Sequence, residues 1–255
     1  MRDDSSHFYN ALAENYHLIF EDWNASVERQ ANMLGALVEC ELSASKISIL
    51  DCACGVGTQA LGLATRGHAV LGTDISSSAI ARARREALQR GLSISFEIAD
   101  IRDLSTVPQT GFDAVLAMDN ALPHLLSDGD LQRAVGEIAA KLRHGGVFVA
   151  SIRDYDALLQ HHPTGEGPFF YSDDGSRRIV QQVWDWIDDR KYVLHLYITR
   201  ELNGEWECDH YASNYRAVTR EDVTTLLVRE GLADVRWLMP SQTCFYQPIV
   251  VCRYP

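Results

Sequence analysis

The chain has 255 residues, 46% apolar and 23% charged, which suits one large domain or one domain carrying a sizeable insertion. With 23 basic against 35 acidic residues and a formal net charge of −12, it lacks the clustered Lys and Arg that nucleic acid or an anionic membrane requires; its lysines are Lys46, Lys141 and Lys191. No apolar run approaches the length of a membrane span, the start is polar without a signal-peptide core, and the six cysteines form no C-x-x-C pair. The expectation is a cytoplasmic protein with reduced, buried thiols.

Residues 8–41 carry two apolar stripes at helical spacing, Leu12, Tyr16, Ile19 and Phe20 on one, Met33, Leu34, Leu37 and Val38 on the other. Asn24 or Ser26 is the expected cap of the second helix. The mixture of Phe8, Tyr9, Tyr16, His17 and Trp23 fits either a covering helix pair or a flap that closes over a ligand. An apolar strand then ends at Asp51, a turn containing Gly55 and Gly57 opens a helix, and a second strand ends at Asp74. That is the first half of a nucleoside-binding βαβ unit, in which glycine admits a close ligand and the helix start offers free N–H groups. A helix over 79–90, capped from Ser76 to Ser78, leads to a third strand at 94–100, also ending in an acid. A fourth strand at 112–118, a helix over 130–142 closed by His144-Gly145-Gly146, and a fifth strand at 147–152 follow. Alternating strands and helices predict a parallel sheet covered on both faces.

The pattern then changes. Residues 154–175 read as a loop. Three alternating runs, 178–187, 191–201 and 205–216, are separated by Asp188-Asp189 and by the hairpin signal Asn203-Gly204, and predict an antiparallel insertion. Thr219, with Asp222 three residues on, caps a helix over 220–230. Strands at 235–239 and 249–253 close the chain.

Ligands of open α/β sheets bind beyond the carboxyl ends of the strands. Asp51, Asp74 and Asp100 all stand at such ends and are expected to line one crevice. Gly55-x-Gly57-x-x-Ala60 fits the loose dinucleotide fingerprint, with Asp74 at ribose distance. Against a dinucleotide, Asp51 stands directly before the turn, where it would repel a pyrophosphate. A ligand with an ammonium and a sulfonium and no phosphate suits these acids, which describes S-adenosylmethionine.

The segments Asp51-Cys52-Ala53-Cys54-Gly55-Val56-Gly57-Thr58, Gly72-Thr73-Asp74, Ala99-Asp100 and Phe112-Asp113-Ala114-Val115 resemble the ordered motifs of class I S-adenosylmethionine-dependent methyltransferases. Ala53 stands where the strictest pattern has its first glycine. The resemblance implies cofactor contacts by Tyr9, Tyr16, Asp51, Ala53, Cys54, Gly55, Gly57, Asp74, Ile75, Ala99, Asp100, Ile101 and Met118, with Asp51 near the amino group, Asp74 on the ribose, and Asp100 and Ile101 beside the adenine. More narrowly, Asp119-Asn120-Ala121-Leu122-Pro123-His124-Leu125 and Arg153-Asp154-Tyr155-Asp156 are similar to segments of glycine and sarcosine N-methyltransferases. That similarity implies Asn120 beside the acceptor amine and Arg153 on an acceptor carboxylate; the residues themselves suit His124 to orient or deprotonate the acceptor nitrogen. The insertion departs from that group at Pro163–Tyr171 and at Trp184-Asp185-Trp186.

The resulting expectation is an α/β, Rossmann-like, seven-stranded methyltransferase sheet (45–153 and 219–255). A helical flap (1–44) and an antiparallel cap after strand five (154–218) complete it. Tyr171, Tyr197 and Tyr246 join Asn120, His124 and Arg153 as expected acceptor contacts, with no metal. The expected reaction is methyl transfer to a nitrogen of a small molecule. Oxygen methylation of a hydroxylated or carboxylated metabolite, a nicotinamide-dependent oxidoreductase, and a non-catalytic S-adenosylmethionine sensor stay open. A homodimer through an exposed face such as the Trp184/Trp186 ribbon also stays open.

Overall fold

The computed structural model describes residues 4–173 and 176–255; the polar start at residues 1–3 and residues 174–175 of the expected loop lie outside them. Eleven strands follow in chain order among the described residues. The first five are β1 (Ser48–Asp51), β2 (Ala69–Asp74), β3 (Ser95–Ile98), β4 (Phe112–Ala117) and β5 (Leu142–Ser151). Next come β6 (Gly165–Asp173), β7 (Ser176–Trp186), β8 (Lys191–Leu202) and β9 (Glu205–Arg216), then β10 (Ala233–Leu238) and β11 (Ile249–Arg253). The helices are α1 (Asp4–Leu12), α2 (Trp23–Leu42), α3 (Thr58–Thr65), α4 (Ser77–Gln89), α5 (Asp128–Lys141), α6 (Tyr155–His161), α7 (Arg220–Arg229) and α8 (Pro240–Thr243). A 3-10 segment, Ala13–Ile19, follows α1 directly.

Seven strands form one sheet in the order β10-β11-β5-β4-β1-β2-β3. The first five run parallel, whereas β11 is antiparallel to β5 and β10 to β11. Chain order reverses between β1 and β4, so a crevice opens beyond their carboxyl ends. Neighbouring residues of β1 serve opposite faces, as pleating requires. Leu50 joins a cluster with Val115, Phe148 and the cap residues Trp184 and Tyr192, while Ile49 joins one with Leu34 of α2 and Leu61 of α3.

Local signals explain most element boundaries. The Ser76 hydroxyl accepts the Ala79 N–H at 3.1 Å and starts α4. Thr219 and Asp222 form a reciprocal capping box on α7. The cap of α2 is Asp22, whose carboxylate accepts the Ala25 N–H at 3.0 Å, and not Asn24 or Ser26. The helix begins two to four residues earlier than expected because Trp23 packs into the core and its indole N–H donates to Thr58. The segment His144-Gly145-Gly146 belongs to β5 and does not close the preceding helix. Gly145 there adopts a φ of 73°, and its N–H donates to Tyr254 at the chain's end.

Residues 154–173 are not a loop. Asp154 caps α6, and β6 pairs antiparallel with β7 through a register shift between Glu166 and Phe169. The cap is therefore a four-stranded sheet, β6-β7-β8-β9. Asn203 and Gly204 make its hairpin with φ of 53° and 83°. Trp184 is buried and faces inward, and the Trp186 indole donates to the Pro163 carbonyl, so this pair forms no exposed ribbon. The free cysteines divide evenly: Cys52, Cys54 and Cys252 are buried, whereas Cys40, Cys208 and Cys244 are exposed.

The N-terminal segment is held between core and cap. Asn10 accepts hydrogen bonds from Ser76 and Ser78 at the start of α4, and the Arg82 guanidinium donates to the Ala13 carbonyl at 2.6 Å. On the cap side Asn15 donates to the Tyr211 hydroxyl at 2.8 Å and Arg178 donates to the Phe20 carbonyl. No helix among the described residues is long and apolar enough to cross a membrane.

Candidate active site

The turn after β1 is shaped by two glycines with different tasks. Gly55 has a φ of +54°, and a Cβ there would meet no atom within 4 Å, so bare backbone faces the crevice. Gly57, at φ +95°, is the N-cap of α3 and packs over Leu61; it forms the turn without lining the crevice. Asp74 ties the turn to the next helix. Its Oδ2 accepts the Gly55 N–H and its Oδ1 accepts the Ser76 N–H, both at 2.8 Å, leaving a second lone pair on each oxygen.

These elements border a cavity of about 780 Å³, its mouth included, at the carboxyl ends of the strands. Of the expected cofactor contacts, Tyr9, Tyr16, Ala53, Cys54, Gly55 and Asp74 line it. Ile75, Ala99, Asp100, Ile101 and Met118 line it too, from the ends of β2, β3 and β4. Asp51 does not reach the wall. It is fully buried behind the cavity, and its carboxylate oxygens accept no well-formed hydrogen bond. Burial first, then the nearby Asp119 and Asp74 carboxylates, push its pKa up to about 8, with the backbone amides of Ala53 and Ala60 offsetting part of the rise.

The grouping of acids differs from the expected one. Asp100 lines the cavity, but Arg102 clasps its carboxylate, with Nε 2.9 Å from both oxygens. The third acid beside Asp51 and Asp74 is the partly buried Asp119, which follows β4 and lies outside the expected site. It satisfies the rule that pointed to Asp51 and Asp74, an acid just past an apolar strand. Gln59 donates to its Oδ2 at 2.8 Å and the Tyr246 hydroxyl to its Oδ1 at 2.6 Å. Burial raises the pKa of both Asp74 and Asp119. Asp119 and Asn120 have φ of 55° and 66°, two successive left-handed residues that turn the chain sharply out of the sheet.

A second, larger chamber lies under the cap, about 1870 Å³ with its mouth included. Tyr9, Tyr16 and Asp119 border both spaces and form the partition between them. Arg153 faces this chamber. Its guanidinium donates to the Tyr192 hydroxyl at 3.0 Å and to Gln182 at 2.9 Å, and lies 4.9 Å from the Trp184 ring centre. The neighbouring Asp154 and Asp156 both face Arg220 instead. The partners of Arg153 among the described residues are thus neutral.

The other expected acceptor residues separate into groups. Asn120 borders the chamber but is 3% exposed and engaged at both amide atoms: its Oδ1 accepts the Arg153 backbone N–H and its Nδ2 donates to Tyr155, holding Arg153 in place. His124 lines the smaller cavity, with Nε2 3.0 Å from the Tyr9 hydroxyl and its ring against Tyr215. Burial raises the Tyr9 pKa far above the phenol range, so Tyr9 stays protonated. Tyr171 and Tyr246 border the chamber. Tyr197 does not. It lies on the opposite face of β8 from Leu194 and Leu196, stacked on His210 at 4.7 Å. The alternation of β8 marks two faces, and only tertiary packing decides which one meets the chamber.

Residues 49–146 match the family described as a methyltransferase domain. The glycine/sarcosine N-methyltransferase of Parasynechococcus marenigrum (strain WH8102) is 34% identical over 139 residues. That stretch is 54% of this chain and 48% of the relative, so the chain spans about half of that protein's length. The glycine/sarcosine N-methyltransferase of Aphanothece halophytica is 24% identical over 247 residues, 96% of this chain and 88% of that protein. Among solved structures, the amino pentose methyltransferase CalS10 of Micromonospora echinaspora, with S-adenosylmethionine bound, superposes with a TM-score of 0.75. It is 19% identical and covers 90% of this chain and 92% of its own.

Proposed function

We propose that the chain is a class I S-adenosylmethionine-dependent methyltransferase and that it methylates a nitrogen of a small molecule, a reading supported by the match of residues 49–146 to a methyltransferase domain and by the strand order of the sheet. The observation that carries this reading is the pair of spaces meeting at Tyr9, Tyr16 and Asp119, one at the strand ends and one under the cap. Two reactants held on either side of that partition are aligned and shielded from water, which is most of what an in-line displacement asks of a protein.

The residues at the strand ends fit the proposed cofactor. Gly55 offers a bare backbone cradle, and Asp74 keeps lone pairs suited to ribose hydroxyls. Ala99 and Ile101 supply an apolar berth for the adenine. Asp74 and Asp119 face this space held by neutral donors, with no Lys or Arg paired to either among the described residues, which favours a positive sulfonium and ammonium and opposes a pyrophosphate; Asp51, behind the wall with its pKa pushed up to about 8, adds little charge. When bound, S-adenosylmethionine supplies a methyl group to the acceptor nitrogen's electron pair; the N–C bond forms, the C–S bond breaks, and its electrons stay on sulfur.

The chain's own residues prepare that exchange. Arg153, fixed by Asn120, Tyr192 and Gln182, holds an anionic or carbonyl group of the acceptor through its remaining N–H donors. Tyr9 stays protonated and connects the partition to His124 Nε2, so the His124–Tyr9 pair orients the acceptor nitrogen without a charged phenolate. Asp119 supplies an anion at the junction, where the nitrogen has to shed a proton. The test is release of S-adenosylhomocysteine with matched panels of amines and hydroxyl compounds. Turnover on amines is expected. Turnover confined to hydroxyl compounds would replace the nitrogen reading with oxygen methylation, and no turnover despite tight binding would point to a sensor.

A further inference from the structure

The chamber under the cap is much larger and more apolar than a two-carbon acceptor needs. Its walls include Phe8, Leu12, Val180, Trp184, Leu194 and Leu196, all buried. The lip is apolar too: Phe169 borders the chamber at 40% exposure, and its neighbour Phe170 is 73% exposed. Two partly buried charges interrupt this lining, Arg153 and Asp119, and each is held by neutral groups. The remaining charged residues on its border are disposed of otherwise: Arg29 and Glu166 are exposed at the rim, and Asp154 is paired with Arg220.

An apolar space holding one cation and one anion, neither compensated by its counterpart, matches a ligand that brings both charges on an apolar body. Resting on the methyl-transfer reading above, we propose that the acceptor is a zwitterionic amino acid with a large apolar or aromatic side chain. Its carboxylate meets Arg153, its ammonium meets Asp119, and its side chain fills the space toward Phe169. Asp119 stands on the partition, so the ammonium it binds is also the one beside the cofactor space. The carboxylate of Asp119 takes one proton from that ammonium. The electron pair left on nitrogen forms the N–CH3 bond while the C–S electron pair departs with sulfur. A second proton leaves the methylated nitrogen to water on release.

The proposal is tested on the wild-type protein with L-phenylalanine, glycine, phenethylamine and 3-phenylpropanoate. S-adenosylhomocysteine release is followed, and binding of S-adenosylhomocysteine is measured separately by calorimetry. L-Phenylalanine is expected to exceed glycine in kcat/KM by about a hundredfold, since each buried methylene adds several-fold in affinity. Phenethylamine, which lacks the carboxylate, should fall at least about tenfold below it, and 3-phenylpropanoate should compete with it without being methylated. Asp119→Asn keeps the shape, and asparagine tolerates the left-handed backbone. The variant should lose about a hundredfold or more in kcat/KM for L-phenylalanine while the inhibition constant of 3-phenylpropanoate, which carries no ammonium, stays within about threefold. Glycine outperforming L-phenylalanine, or Asp119→Asn leaving kcat/KM intact, overturns this proposal and leaves methyl transfer standing. Absence of S-adenosylhomocysteine binding overturns the methyl-transfer reading itself, and this proposal with it.

Discussion

The two spaces on either side of Tyr9, Tyr16 and Asp119 are built in opposite ways. The strand-end cavity is made by short local segments: a strand, an acid and a glycine turn, repeated with variations at β1, β2 and β3. The cap chamber is assembled from parts far apart in the chain, with α1 and the 3-10 segment on one side, β7 to β9 on another, and Arg153 after β5. The first sets glycine backbone and carboxylates among apolar side chains, the second sets two charges among aromatic and aliphatic side chains. A site built from local turn geometry can serve one invariant ligand. A site built from side chains on an inserted sheet can be refitted to a new ligand without disturbing the first.

That comparison predicts which substitutions separate the two functions. The largest effect is expected for Arg153→Ala. It should raise acceptor KM by about a hundredfold or more, in the range found when one member of a buried charge pairing is truncated, while S-adenosylhomocysteine affinity hardly changes. Equal losses on both sides would remove the clamp role. Gly55→Val is the mirror experiment. A β-branched side chain at φ +54° is strained and enters the cavity, so S-adenosylhomocysteine binding should weaken at least about tenfold with acceptor KM little affected.

How far each region could be read in the sequence follows from the same contrast. The turn at Gly55, the acid Asp74 and the capping box at Thr219 are governed by neighbours a few residues away and are legible in the sequence; Asp51 is legible as a strand-end acid, but its place behind the cavity wall is not. The strand β6 was not. Gly165, Gly167 and Pro168 mask its alternation, and its register shifts between Glu166 and Phe169, so it resembles a loop until β7 pairs with it. Aromatic residues occupy both faces of β8 and nothing local ranks them, so the sequence does not show that Tyr197 faces away from the chamber. Asp100 reads as a bare acid because a salt bridge to Arg102, two residues away, is a matter of rotamer, whereas Asp119 stands beside the more conspicuous Asn120.

A pH experiment sharpens the account of the acids. The Asp51 carboxyl has a folded pKa of about 8 against an ordinary 3.8, so between these values the folded protein holds a proton that the unfolded chain releases. Stability therefore falls as pH rises through that window, and Asp74 and Asp119, also raised, act in the same direction. Thermal melts without ligand should show Tm several degrees lower at pH 8 than at pH 5, and Asp51→Asn should remove part of that fall. An unchanged pH profile in the variant would mean that Asp51 does not hold the proton. The smallest effect is expected for Tyr246→Phe, which deletes one hydrogen bond to the partition residue Asp119; acceptor kcat/KM should drop by about three- to tenfold.

The most direct measurement is calorimetric titration of the wild-type protein with S-adenosylhomocysteine and, separately, with NAD, each repeated on Asp74→Ala. A cavity of glycine backbone and unbalanced carboxylates should bind one S-adenosylhomocysteine per chain, lose that affinity when Asp74 is removed, and give no heat with NAD. Saturable NAD binding that excludes S-adenosylhomocysteine would contradict it.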